Sequence, residues 1–211
     1  MPRPRALAPG ARVIVSGTIS SAQFASGDRF VVGRWPSSPI GPMADVMWAT
    51  PDDHRILLAP DRATADFVTR IYDFDEVRVT PVTVAGDDRR TTVADPDLGL
   101  DLVLRGGRRW PIPVRRPLWV TRWVEAPIAR RVMGVDTHGT SAAGAVEWYQ
   151  ASGWRWVESG AAEVAGSGLG ELRRIDRAVG VGFSEPPERP SIVSVRVTID
   201  LPGEPDAAGD G

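Results

Sequence analysis

GRWPSSPIGPMADVMWAT, residues 33–50, decides how the chain is read. It opens with strand-like alternation, passes through Pro- and Gly-rich punctuation, and resumes as an apolar run with a carboxylate, Asp45, at its head. Pro and Gly set backbone angles that regular strands avoid, so SSPIGP reads as a turn between two strands. The turn aims Asp45 either into a cavity, beside Trp35 and Trp48, or at nearby backbone N–H groups as a turn cap. In a cavity, desolvation would raise its pKa and suit it to acid or base work.

Alternation continues on both sides of this stretch. Leu98, Leu100, Leu102 and Leu104 share one face of LGLDLVLR. Val193, Val195, Val197, Ile199 and Leu201 share one face of VSVRVTIDL. Period-two patterns of this kind specify strands with one face buried. VRVTPVTV (77–84) reads as a further strand. AVEWYQ and WRWVES, either side of ASG, read as a hairpin in which Trp148 and Trp156 either form cross-strand pairs or line a barrel interior. PPERP (186–190) leads into the last strand. Residues 160–175 hold two further short strands at most, and the glycine clusters RGGRR and GSGLG read as turns.

Helix signals are fewer. DRATADFVTRIY (61–72) offers Asp61 as N-cap and places Ala65, Val68 and Tyr72 on one stripe. Residues 117–133 suggest one or two short helices broken by Pro127. Many strands and few helices predict a mostly-β fold: a single antiparallel β-barrel or closed sheet with one or two short helices. The expected organisation is a disordered tail over 1–11, one domain over 12–201, and a second disordered tail over 202–211.

The chain has 211 residues, 42% hydrophobic and 25% charged, with a net charge of −2 and a pI near 5.7. That balance lacks the basic excess of a nucleic-acid binder. No apolar run is long enough for a membrane helix and no leader is evident, so the cytoplasm is the expected location. There is no Cys and no Lys, so all 25 basic residues are Arg. Thiolate chemistry and a side-chain Schiff base are therefore excluded.

The order of strand, Ser38-Pro39-Ile40-Gly41-Pro42 turn and acid resembles the acetoacetate decarboxylase-like barrels over roughly residues 27–84. Phe30-Val31-Val32 matches the strand before the turn. Asp45 stands where that family usually carries Glu, Arg55-Ile56-Leu57-Leu58 matches the next strand, and the helix from Asp61 matches the family's short helix. The resemblance implies a β-barrel with an interior pocket and one inherited carboxylate. The family's chemistry runs through a Lys that this chain lacks, and Thr69 falls where the family has a second acid.

Two histidines, His54 and His138, lie in polar loops 84 positions apart, which is weak support for a metal site, and none is expected. A triad of Ser141, His138 and Asp136 lacks a nucleophile elbow. RRWPIPVRRPLWVTRWVEAPIARR (108–131) interleaves Arg and Trp; its prolines favour a connection packed across a barrel end over a membrane-surface helix. These readings converge on a protein that binds a small apolar or carboxylate-bearing molecule without a cofactor. Arg34, Trp35, Trp48, His138, Trp148 and Trp156 are the candidate ligand-binding residues and Asp45 the candidate catalytic one. The alternative is an enzyme using Asp45 as general acid or base on a small keto acid or lactone-like substrate. Nucleic acid and membrane are not expected partners, and a homo-oligomer remains open.

Overall fold

The computed structural model describes residues 8–111, 138–141, 143–182 and 185–203. In chain order the elements are β1 (Arg12–Phe24), β2 (Arg29–Ser37), β3 (Met43–Ala49), β4 (Arg55–Ala59), α1 (Arg62–Thr69), β5 (Glu76–Val79), β6 (Thr83–Gly86), β7 (Arg90–Asp95) and β8 (Leu100–Gly106). Then come β9 (Trp110–Pro111), β10 (His138–Thr140), β11 (Val146–Val164), β12 (Ser167–Gly168), β13 (Leu172–Arg173) and β14 (Ser191–Asp200). The structure is 55% strand and 5% helix, so the mostly-β expectation holds, with α1 the one helix among the described residues.

The strands form one sheet in the order β5-β4-β3-β2-β1-β14-β11-β8-β7-β6, with β9, β10 and β12 on β11 and β13 on β1. The expected closure is not found: the ladder ends at β5 on one side and β6 on the other. Nor is it wholly antiparallel, because β4 and β5 run parallel. Parallel neighbours need a crossover, and α1 supplies it. The crossover carries α1 across one face of the sheet, where it contacts β3, β4 and β5.

Three readings of the sequence change. The supposed hairpin around ASG is a single strand, β11, of 19 residues. Its irregularity at Ala151/Gly153 is a shift of register against β14, so the glycine makes a bulge where a turn was expected. Trp148 and Trp156 therefore lie on one strand and do not pair across two. Likewise 77–84 is two strands, parted at Pro81, which has no N–H to give the ladder. Residues 160–164 end β11, leaving β12 and β13 as the short strands that follow. The helices expected over 117–133, and Asp136, lie outside the described residues. The helix at 61–72 forms over Arg62–Thr69, and Asp61 caps it by accepting from the Thr64 N–H at 2.8 Å.

β11 belongs to two halves of the sheet. Val146–Trp156 pairs with β14, and Val157–Glu163 pairs with β8 after a second register shift. The bent sheet buries both of its faces. Phe24, Phe30, Val32, Val46, Trp48 and Leu58 pack against Leu100, Leu102 and Leu104 in a first core. Val13, Val15, Trp35, Met47 and Leu57 pack with Phe67, Val68 and Ile71 and with Val193–Ile199 of β14 in a second. Neighbouring residues thus alternate between cores: Leu58 belongs to the first and Leu57 to the second. Among the described residues, no helix is long and apolar enough to cross a membrane.

Leu58 and Leu102 are almost wholly enclosed. Truncating either to Ala should cost about 2–5 kcal/mol, while Asp61→Ala should cost about 1 kcal/mol through the lost cap. Urea denaturation of the three variants checks that order.

Candidate functional site

The second core is incomplete. Between α1 and the sheet lies a cavity of about 170 Å³. One rung of the sheet crosses part of its wall. Asp45 on β3 sits opposite Gly33 on β2, Gly33 opposite Ile19 on β1, Ile19 opposite Val193 on β14, and Val193 opposite Trp154 on β11. Because side chains alternate faces along each strand, all of these positions look the same way.

Gly33 explains how an acid is held in this wall. A Cβ built there would stand 2.4 Å from both Asp45 Oδ1 and Trp35 Nε1. Its absence leaves room for the Trp35 indole to donate to Asp45 Oδ1 at 2.8 Å. The turn between β2 and β3 needs Gly41 at φ +100, a conformation that L side chains rarely adopt. Asp45 is 2% exposed and lies within β3. It is not the backbone-capping turn residue that the sequence also allowed. Burial pushes its pKa up to about 6, and the Trp35 hydrogen bond only partly opposes this.

A second acid lines the same cavity. Glu147 on β11 is fully buried. Its Oε2 accepts from the Tyr72 hydroxyl at 2.6 Å and from the Tyr149 hydroxyl at 2.9 Å, and the two hydroxyls lie 2.6 Å apart. Oε1 has no partner in the structure. Burial raises the Glu147 pKa to about 7, against the two tyrosine hydrogen bonds. Burial and then the charge of Glu147 hold both tyrosines well above the ordinary phenol value. Trp154 Nε1, also in the lining, is the other buried polar atom there without a partner.

Apart from Ser21 and Ser191, whose hydroxyls lie 3.4 Å apart, the rest of the described wall is mostly apolar, with Val15, Val31, Met43, Met47, Phe67 and Ile71 among its members. Residues 179–182 and 185–187 contribute Val179, Val181 and Glu185. Charged side chains hold these residues and their neighbours. Arg177 pairs with Asp53 and donates to the Pro51 carbonyl at 2.7 Å, while Arg55 donates to the Gly180 carbonyl at 2.9 Å. Glu185 accepts from the Val179 and Gly180 N–H groups at 2.7 and 3.0 Å.

Of the residues singled out from sequence, Asp45 and Trp35 line this cavity. Arg34 does not; it alternates onto the face of Phe30 and Val32, away from Asp45. Trp48 lies in the first core, stacked on Phe30 with ring centroids 5.8 Å apart, and donates to Asp28 at 2.8 Å. Trp148 alternates away from Glu147 and lies under the Arg12 guanidinium, 5.3 Å from its ring centre. Trp156 meets Trp154 edge to face at 5.2 Å and borders a separate polar depression with Arg174, Asp176 and Arg189. The His138 backbone pairs with Trp148; its side chain lies outside the described set. Among the described residues no three His, Asp or Glu side chains cluster as metal ligands do, and no Arg lines the cavity.

Glu147, Tyr149 and Trp154 were missed. A signal for the first two was present: in VEWYQ, Glu147 and Tyr149 stand two apart on a strand, hence on one face, and an acid there has to be accommodated. The Trp count drew attention to Trp148 instead. Tyr72 had been placed on the buried stripe of the helix and continues it.

No protein family matches the chain by sequence, and no curated protein matches it. Among solved structures the chain is similar to the acetoacetate decarboxylase of Legionella pneumophila subsp. pneumophila str. Philadelphia 1. The TM-score is 0.40 and the identity 11%, over 96% of this chain and 90% of that one. A likeness at that level says nothing of chemistry.

Both acids have pKa values above their ordinary ones of 3.8 and 4.5. The folded state therefore keeps protons that the unfolded state releases. Stability contributed by this effect is full below about pH 4 and is lost as pH rises through about 6 and 7. The loss is on the order of 3 kcal/mol for each group. Asp45→Asn and Glu147→Gln should each flatten this part of the profile and gain stability relative to wild type at about pH 8. Denaturation midpoints followed across pH test this, and an unchanged slope in both variants would contradict it.

Proposed function

We propose that the protein binds a small, largely apolar molecule in the cavity between α1 and the sheet, with the polar end of the molecule at the buried acids. The observation that carries this reading is a cavity of about 170 Å³ against the second core, its described wall mostly apolar with the buried acids Asp45 and Glu147 among its few polar groups. Protein interiors are close-packed, and space of this size costs stability unless something occupies it. A cavity of about 150 Å³ is enough for a benzene-sized guest.

The test is occupancy. Benzene-sized compounds screened by thermal shift and calorimetry should yield at least one stabiliser. Val195→Phe, which places a ring into the wall, should abolish its binding while the variant stays folded by circular dichroism. Absence of any binder, or undiminished binding by the filled variant, would refute the role.

One observation favours a second reading, an enzyme acting on a small keto acid or lactone-like substrate. Asp45, at about 6, has the protonation behaviour that general acid-base chemistry at neutral pH requires. The two readings part on Asp45→Asn. A binder keeps its affinity for an uncharged ligand within about threefold, since the amide can still accept from Trp35 and one hydrogen bond of ordinary strength is the most at stake. An enzyme loses turnover by roughly 100-fold or more.

A further inference from the structure

Resting on the binding role proposed above, we infer that the occupant is a primary amine about one aromatic ring in size, bound as its ammonium with the nitrogen at Glu147 Oε1. Three features of the cavity point there. The first is the vacant acceptor. Glu147 is fully buried, both tyrosine hydroxyls are spent on Oε2, and Oε1 has nothing. A buried carboxylate oxygen without a donor is costly, and an ammonium brings three donors and the compensating charge.

The second feature is the balance of charge around that oxygen. Among the described residues, the titratable groups facing Glu147 are Tyr72, from the segment after α1, and Tyr149 on β11. Asp45, from β3, acts on Tyr149 electrostatically, and Glu185 stands elsewhere in the lining. Every one of these is an acid, and no described lining residue is a base. An anionic guest would add a like charge to a desolvated site, whereas a cation relieves it.

The third is the arrangement along the cavity. Among the described lining residues, the other buried polar atom without a partner, Trp154 Nε1, is a donor. Glu147 and Trp154 lie at opposite ends of the stretch of β11 that pairs with β14, opposite Ile199 and Val193 respectively. A donor repels ammonium hydrogens, so the nitrogen belongs at the Glu147 end. The apolar body of the amine then lies along Val15, Val195 and Val197 toward the indoles.

Benzylamine, benzyl alcohol and benzoate share one ring and differ in charge. Titrated calorimetrically into the wild-type protein at about pH 8, benzylamine should bind roughly tenfold or more tightly than benzyl alcohol, the worth of one charge-assisted hydrogen bond. Benzoate should bind weakest. The benzylamine preference should shrink roughly tenfold at about pH 5, where both acids hold protons, and the alcohol's affinity should stay level. Glu147→Gln, folded by circular dichroism, should bind the amine no better than the alcohol. Equal binding of amine and alcohol by the wild type, or strongest binding of benzoate, overturns the amine while leaving a ligand-binding cavity in place. Binding of none of the three, with no hit in the wider screen, overturns both. The comparison of ligands on the wild type needs no variant to fold.

Discussion

A single sheet whose two faces must both be buried is the constraint from which the rest of the structure follows. A sheet that wets one face can afford alternation between apolar and polar residues. Here β2, β3, β4 and β14 carry apolar side chains on both faces, feeding one core from each. The sheet must therefore bend over itself on one side and accept α1 on the other. β11 makes the bend possible, because it is long enough to pair with β14 along its first half and β8 along its second. Of its two register shifts, the one at Val157/Ser159 lies where the strand passes from β14 to β8, and the one at Ala151/Gly153 lies within the β14 half.

The cavity is a by-product of covering the second face with so short a cover. α1 has eight residues and reaches β3, β4 and β5. Along β1, β14 and β11 the described lining comes from residues 179–182 and 185–187 and from residues turned inward from the sheet. A gap in an apolar wall would ordinarily be filled by a larger aliphatic side chain. Instead the wall holds two carboxylic acids, and the chain makes room for one of them by omitting a side chain at Gly33. Acids held at such cost in desolvation are more readily explained by what they do than by what they stabilise.

Much of the architecture was legible because period-two alternation is a local signal. The leucines of β8 and the valines of β14 announced their strands, and Asp61 announced the helix. What was not legible depended on partners distant in sequence. Gly153 looks the same in a hairpin turn as in a bulge of a continuing strand; only pairing to Ser194 distinguishes them. Closure likewise depends on whether β5 meets β6, which no local pattern states. At the site, Asp45 was legible from the Pro-Gly corner, and Trp35 from its neighbourhood. Arg34 adjoins Trp35 in sequence, but strand alternation turns it to the opposite face. Glu147 was overlooked because its significance lies in Tyr72, which approaches from 75 positions away.

The pairing of β1 with β14 has a consequence for how the molecule is made. These are the first and last of the described strands, joined from Arg12–Asp200 to Ser21–Ser191 at the centre of the sheet, with the Arg12–Asp200 ion pair spanning 188 positions. During synthesis β1 leaves the ribosome with one flank satisfied by β2 and the other bare. It stays so until β14 has been translated. Contacts so remote form late and slowly, and an unpaired strand flank is adhesive to other chains in the interval. The central seam of the sheet thus stays open through the synthesis of every strand between β1 and β14, and β14 enters as a keystone between β1 and β11.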